Sequence, residues 1–416
     1  MKQINEIKSL IILGNGFDLR CGLPSRFWNF FEELNKSTVN EDFGKLRTFF
    51  KSDFKLHGFS AYPGNRNQRI NLSEYNWFEM RKYDFPEDSE EKPEMENDQE
   101  FSDLFSLELR KLGFWTSYFV IFCSNSKNWY NIEESISTFF TEESDLYGKK
   151  NTYRSDSKET RFSAIDKYIK GLKKVSTIQR FSANEETDLL TRKLALLLLS
   201  VFEYKPDTDL SEFLLNQLKI FENLFDSYLI KKSSSNVFYK PETEEVLERL
   251  SDGNLYNLLN FNYTMVKSEN TNIRRNIHST LGNKPIIGID ADKVFADNRV
   301  YKFTKTYRIM RLAMRTDDSE LIPQSINEII FYGHSLAQAD YSYFQSIFDK
   351  CNIYNNDIKL VFYYSTYDGC NEEQATRTMF NRVSQLLDNY GKTIPNHGKN
   401  LLSKMLLENR IRIKEL

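Results

Sequence analysis

The chain has 416 residues and a mass of 49.2 kDa, enough to bury one large core or two ordinary ones without disulfides or metals as staples. Its 56 basic and 59 acidic residues leave a formal charge of -3, so nothing in the overall balance demands nucleic acid or an anionic membrane, and either contact would have to be local. The 33 Phe and 23 Tyr against 16 Gly and 9 Pro exclude a disordered chain; the aromatics are either core or an interface, such as that of a homo-oligomer.

Residues 1–8 are charged and run straight into a strand pattern, with no basic-then-apolar signal ahead of a cleavage site, so a cytoplasmic protein is expected. Ser9–Leu13 is a short apolar run stopped by glycine, the pattern of a parallel strand buried on both faces. Residues 84–100 hold nine acids and one base with Pro86 and Pro93, and read as a solvated loop. Trp129, Ile132, Ile136 and Phe140 then recur at helical steps, with Asn131 and Glu134 as a capping pair. Lys167, Lys170, Lys173 and Lys174 read as a wet helix face rather than a nucleic-acid contact. The most apolar helical run, 194–202, is about half the roughly 18 residues needed to cross a bilayer and follows Arg192 and Lys193, so it is a buried helix segment and no membrane contact is expected. Leu214, Leu218, Phe221, Phe225 and Tyr228 form another helical face. Strand-like runs follow at 255–261, 329–332 and 358–364.

Strand, long helical stretch, then strands alternating with helices predicts an α/β fold: a Rossmann-like parallel sheet with helices on both faces and a helical insertion subdomain. Residues 1–40 and 250–416 form the expected nucleotide-binding domain, and 41–249 the insertion. Cys21, Cys123, Cys351 and Cys370 include no C-x-x-C pair and read as reduced thiols.

Gly14-Asn15-Gly16 directly follows the first strand, where two glycines allow a sharp turn and close approach to a phosphate. It is not the G-x-G-x-x-G fingerprint, because Leu19 fills the third glycine's place. From these residues alone, a phosphate loop and a plain strand-to-helix turn both stand. The continuation Phe17-Asp18-Leu19, then Gly22-Leu23-Pro24 and the aromatic Phe27-Trp28, resembles the N-terminal signature of the bacterial abortive-infection AbiH family. It is also similar, more distantly, to the G-A-G-x-S…G-I-P loop of sirtuin-like NAD-binding domains.

Three later stretches extend the resemblance. Asn260-Phe261-Asn262-Tyr263-Thr264 is similar to the sirtuin T-x-N-x-D motif and to N-F-N-Y-T in AbiH proteins, which implies an NAD-facing Asn262. Ile277-His278-Ser279 stands where these families carry I-H-G or L-H-G, which makes His278 the candidate proton-handling residue, with Ser279 in the glycine's place. Gly333-His334-Ser335-Leu336, with Asp340, Tyr341, Phe344 and Phe348, matches the AbiH pattern G-H-S-L…D-Y…F. His334 is either a second active histidine or part of a helix-start turn capped by Ser335. His57 and His397 lie in unpatterned stretches. No G-x-S-x-G elbow supports a serine hydrolase, and the absence of H-x-x-x-H spacing and of a clustered D-x-D pattern argues against a metal site.

The resemblance implies an antiphage role and an NAD-type pocket, with Asn262 and His278 catalytic and Gly14, Asn15, Gly16, Phe17, Asp18, Gly22, Pro24, Gly333, His334, Ser335 and Asp340 around the cofactor. Its chemistry would be cleavage of the nicotinamide-ribose bond; deacetylation fits less, because the paired cysteines of the sirtuin zinc ribbon are missing from the sequence. Two alternatives remain: a non-catalytic module that senses a nucleotide or a phage-derived trigger and acts through a partner, and a nuclease-type toxin.

Overall fold

A computed structural model describes residues 6–51, 98–123, 130–141, 160–172, 188–289, 298–313, 319–336, 340–366, 371–395 and 398–416. The acidic stretch 84–100 falls largely outside them, as do Trp129, Lys173, Lys174, Cys370, His57 and His397. The chain divides into two compact units: Met1–Arg26 with Phe225–Asp290 and Thr304–Leu416, and Phe27–Leu224 with Ala291–Phe303.

The first unit is built on six strands: β1 (Ser9–Leu13), β2 (Tyr256–Asn260), β3 (Thr271–Asn276), β4 (Glu328–Tyr332), β5 (Lys359–Tyr364) and β6 (Ile411–Glu415). Every pairing is parallel and the spatial order is β3-β2-β1-β4-β5-β6, that of a doubly wound Rossmann-like sheet. Period-two alternation sorts the strand residues onto two cores. Leu10, Ile12, Ile329, Phe331, Leu360 and Phe362 face a layer containing Phe344, Phe348, Leu386 and Leu387 from the helices Tyr341–Cys351 and Glu372–Gly391. Ile11, Leu13, Leu258, Ile330, Tyr332 and Val361 face the opposite layer, with Phe17 of α1 (Asn15–Arg20) and Val246, Leu247 and Leu250 of the helix Tyr239–Ser251. Covered on both sides, the central strands can be continuously apolar, as read from the sequence.

β3 and β6 escaped that reading. They are the edge strands, at most half-buried, and their sequences Thr-Asn-Ile-Arg-Arg-Asn and Ile-Arg-Ile-Lys-Glu alternate instead of running apolar. Their charged side chains also guard the exposed edges against further pairing.

The second unit is helical among the described residues. Its core is aromatic: Trp115 lies 5.2 Å from Phe139 and 5.6 Å from Phe119, and its indole N–H donates to the Leu214 carbonyl at 2.8 Å. Ile132, Ile136 and Phe140 are buried on one face of the helix Tyr130–Thr141, whose first residue precedes Asn131. The apolar run begins in the helix Leu189–Leu196 and continues as a π-helical turn, Leu197–Val201. No helix among the described residues is long and apolar enough to cross a membrane. Lys167 and Lys170 are exposed, and Lys170 pairs with the buried Asp166 at 2.8 Å.

Candidate functional site

In a doubly wound sheet the crevice opens at the carboxyl ends of the strands, where the chain order reverses, here between β1 and β4. Four of the sequence-nominated groups reach that place: the Gly14–Gly16 turn after β1, Asn262 after β2, His278 after β3 and Gly333-His334 after β4.

The two glycine turns lock into one another. The Gly14 N–H donates to the Tyr332 carbonyl at 3.0 Å and the Gly16 N–H to the Gly333 carbonyl at 2.7 Å. A Cβ on Gly14 would stand 2.4 Å from the His334 Cα, and one on Gly333 2.2 Å from the Phe17 nitrogen; Gly333 also has a positive φ of 69°. Glycine is therefore demanded by backbone contacting backbone, and both amides already have protein acceptors.

Asn262 is buried, and its Nδ2 donates to the Gly14 carbonyl at 3.0 Å, which turns its Oδ1 to the other side of the amide. Its own backbone is held at both ends: its N–H donates to Asn260 Oδ1 at 3.0 Å and its carbonyl accepts from Asn276 Nδ2 at 2.8 Å. Asn276 also donates to the Thr264 carbonyl. A net of amides, rather than apolar packing, thus fixes the end of β2.

Asp18 is nominated beside the glycines, yet its carboxylate points into the protein. Tyr239 Oη donates to Oδ1 at 2.6 Å, and Thr264 Oγ1 reaches both oxygens at 3.0 and 3.1 Å. Burial pushes its pKa up to about 7 against these stabilising hydrogen bonds. Phe17 is fully buried against Tyr332. Asn15 accepts from Ser25 Oγ at 2.6 Å, Gly22 takes a φ of 81°, and the Pro24 carbonyl accepts from Tyr228. These residues shape the turn from behind. Ser335 is exposed, and the helix Tyr341–Cys351 has Asp340, not Ser335, at its N-cap.

The histidines are both buried and both meet the Phe261 ring, whose centroid lies 5.8 Å from His278 and 4.7 Å from His334. His278, 4% exposed, donates from its ring to the Phe261 carbonyl, while its Nε2 has no hydrogen-bond partner among the described residues. Burial first, and then the charge of Lys305, lower its pKa to about 3, so it is neutral. His334 accepts the Leu336 N–H on Nδ1 at 2.9 Å and faces Asp340 with Nε2 at 3.5 Å; burial takes it down to about 4. Asp340 in turn meets Lys305 Nζ at 3.4 Å, and the lysine is chief among the charges that hold the aspartate below its ordinary range against the cost of burial. Ser279, beside His278, has a φ of 71°, a left-handed conformation that favours glycine, and its hydroxyl donates to the Asn283 carbonyl at 2.8 Å.

Lys305, Tyr239, Thr264 and Asn276 were not nominated from sequence. Thr264 lies inside the quoted Asn260–Thr264 motif and Asn276 stands immediately before Ile277-His278-Ser279, so proximity to a motif was the available signal; Lys305 and Tyr239 carry no local one. Among the described residues no group of His, Cys, Asp and Glu is arranged to hold a metal ion.

The fold and its switch-point turns define an α/β protein of the Rossmann-like class. A family model described as Bacteriophage abortive infection AbiH matches residues 10–364, and the chain belongs to that family. Searches of curated proteins and of solved structures give no match.

Proposed function

We propose that this protein defends against phage by binding NAD in the switch-point crevice and hydrolysing its nicotinamide-ribose bond, which would arrest the infected cell. The observation that carries the reading is the unpartnered Nε2 of His278, a buried acceptor at the same sheet end as Asn262 and both glycine turns. A buried polar atom without a partner costs about 1–3 kcal/mol, which a ligand hydroxyl or a water would recover. The motif resemblance to sirtuin-like domains supplies the choice of NAD.

In this mechanism water accepted by Asn262 Oδ1 and His278 Nε2 attacks C1′ of the nicotinamide ribose. The C1′–N bond breaks and its electron pair stays on the nicotinamide nitrogen, discharging the pyridinium. The proton leaves through His278 to solvent, giving ADP-ribose, nicotinamide and one proton. Attack on an oxocarbenium-like carbon makes the water strongly acidic, so an imidazole of low basicity serves as the acceptor.

The second reading is a nucleotide-sensing module without turnover, and in either reading the ligand's phosphates must find donors other than two of the turn amides. The Gly14 and Gly16 amides that would cradle a pyrophosphate already donate to the β4 turn. Incubation of the purified protein with NAD, alone and with phage-infected lysate, distinguishes the two by nicotinamide release. Turnover that His278→Ala and Asn262→Ala abolish supports the hydrolase. A ligand-dependent rise in melting temperature without turnover in either state replaces it with the sensor.

A further inference from the structure

We propose that Lys305 and Asp340 are positioning residues: Asp340 ties the Lys305 ammonium to His334 Nε2, and together they set His334 as a one-proton donor and His278 as an open acceptor. Its consequence for catalysis rests on the hydrolase reading above, but the arrangement itself does not.

The argument begins with burial. A lysine side chain 5% exposed is tolerated only with a counter-charge, and Asp340, 14% exposed, is the carboxylate it meets. Asp340 stands at the N-cap of the helix Tyr341–Cys351 yet makes no side-chain capping bond, so its oxygens are directed to Lys305 through Oδ1 and to His334 through Oδ2. Lys305 is placed just as firmly: its N–H donates to the Ile289 carbonyl at 3.0 Å where Ile289 and Thr304 form a parallel bridge.

The tautomers follow from the partners. His334 Nδ1 already accepts the Leu336 N–H, so a proton there would set two donors face to face; the single proton belongs on Nε2, toward Asp340. On His278 the donating nitrogen faces the Phe261 carbonyl, which leaves Nε2 bare. The charged groups bearing on His278 are Lys305 and Asp340, with His334 beside them; those on His334 are Asp340, Lys305 and Arg382. An ammonium near His278 discourages its protonation, while the aspartate limits that effect. The pair thereby selects a ligand group that donates a hydrogen bond at His278, such as a hydroxyl, over one that only accepts, such as a phosphate oxygen.

Histidine-selective 15N NMR of the ligand-free full chain tests this without reference to turnover, with His57→Gln and His397→Gln assigning two of the four ring systems. The parent should show His334 protonated on Nε2 and His278 on Nδ1, with neither titrating above pH 5. Lys305→Met should raise the His278 titration by at least one pH unit, and Lys305→Arg should restore it. A mixed tautomer population at either histidine in the parent, or a His278 titration unmoved by Lys305→Met, overturns the proposal. The parent spectrum alone decides the tautomers if Lys305→Met does not fold. Failure of the hydrolase reading would show as absent nicotinamide release with these spectra intact.

Discussion

Replacement of Asp18 by Asn should change how stability depends on pH, and by a calculable amount. In the folded chain burial holds this carboxyl at a pKa of about 7, against an ordinary 3.8. Between those two values the native state keeps a proton that the unfolded chain has lost. Stability therefore falls as pH rises through the window, by about 1.4 kcal/mol per pH unit and about 4 kcal/mol in all. His278 and His334, with pKa values pushed down to about 3 and about 4, act in the opposite sense, losing stability as pH falls below their ordinary 6.5. The total curve is thus a compromise, and the difference between parent and Asp18→Asn isolates the carboxyl. Asparagine keeps an acceptor for Tyr239 and Thr264 and introduces donors whose cost does not vary with pH. Reversible urea unfolding from pH 5 to 6.5 should show Asp18→Asn gaining about 2 kcal/mol on the parent. A flat difference across that interval would refute the claim that burial outweighs the two hydroxyl donors.

Gly333→Ala, forced into a positive φ with its Cβ 2.2 Å from a backbone nitrogen, should destabilise by more than about 2 kcal/mol in the same assay and separate the two glycine turns. At Ser279, which already occupies a left-handed φ, Gly should be tolerated within about 1 kcal/mol while the β-branched Val should cost about 2 or more, measured by thermal unfolding. If the crevice binds NAD, ligand at a hundred times its Kd should stabilise the fold by about 2.7 kcal/mol, and the shift should shrink in Asn262→Ala; a melting temperature unmoved by NAD in the parent speaks against both the hydrolase and an NAD sensor.

The central strands and the turns that follow them were legible because burial on both faces leaves a mark in one dimension: Ser9–Leu13 and the runs before Asn262 and Gly333 are dominated by adjacent apolar residues. The edge strands β3 and β6 left a weaker mark, since half their side chains meet water. Within the site, Asn262 and His278 could be nominated from the motifs that contain them. The inward direction of Asp18 could not, because Tyr239, which accounts for it, lies 221 residues away in sequence. Lys305 was invisible for the same reason: its meaning depends on Asp340, and a lone lysine between Thr304 and Thr306 looks like any solvated one.

β1 is made before the other five strands of its sheet and lies inside it, yet its neighbours are Tyr256–Asn260 and Glu328–Tyr332. During synthesis at about 5–20 residues per second, its hydrogen-bonding edges wait for roughly 12 seconds or longer before either partner exists. The switch-point crevice consequently cannot assemble until the chain has been made as far as β4 and the turn that follows it. A message interrupted before Gly333 yields no partial pocket, so whatever this site does to a cell requires that translation pass the turn after β4.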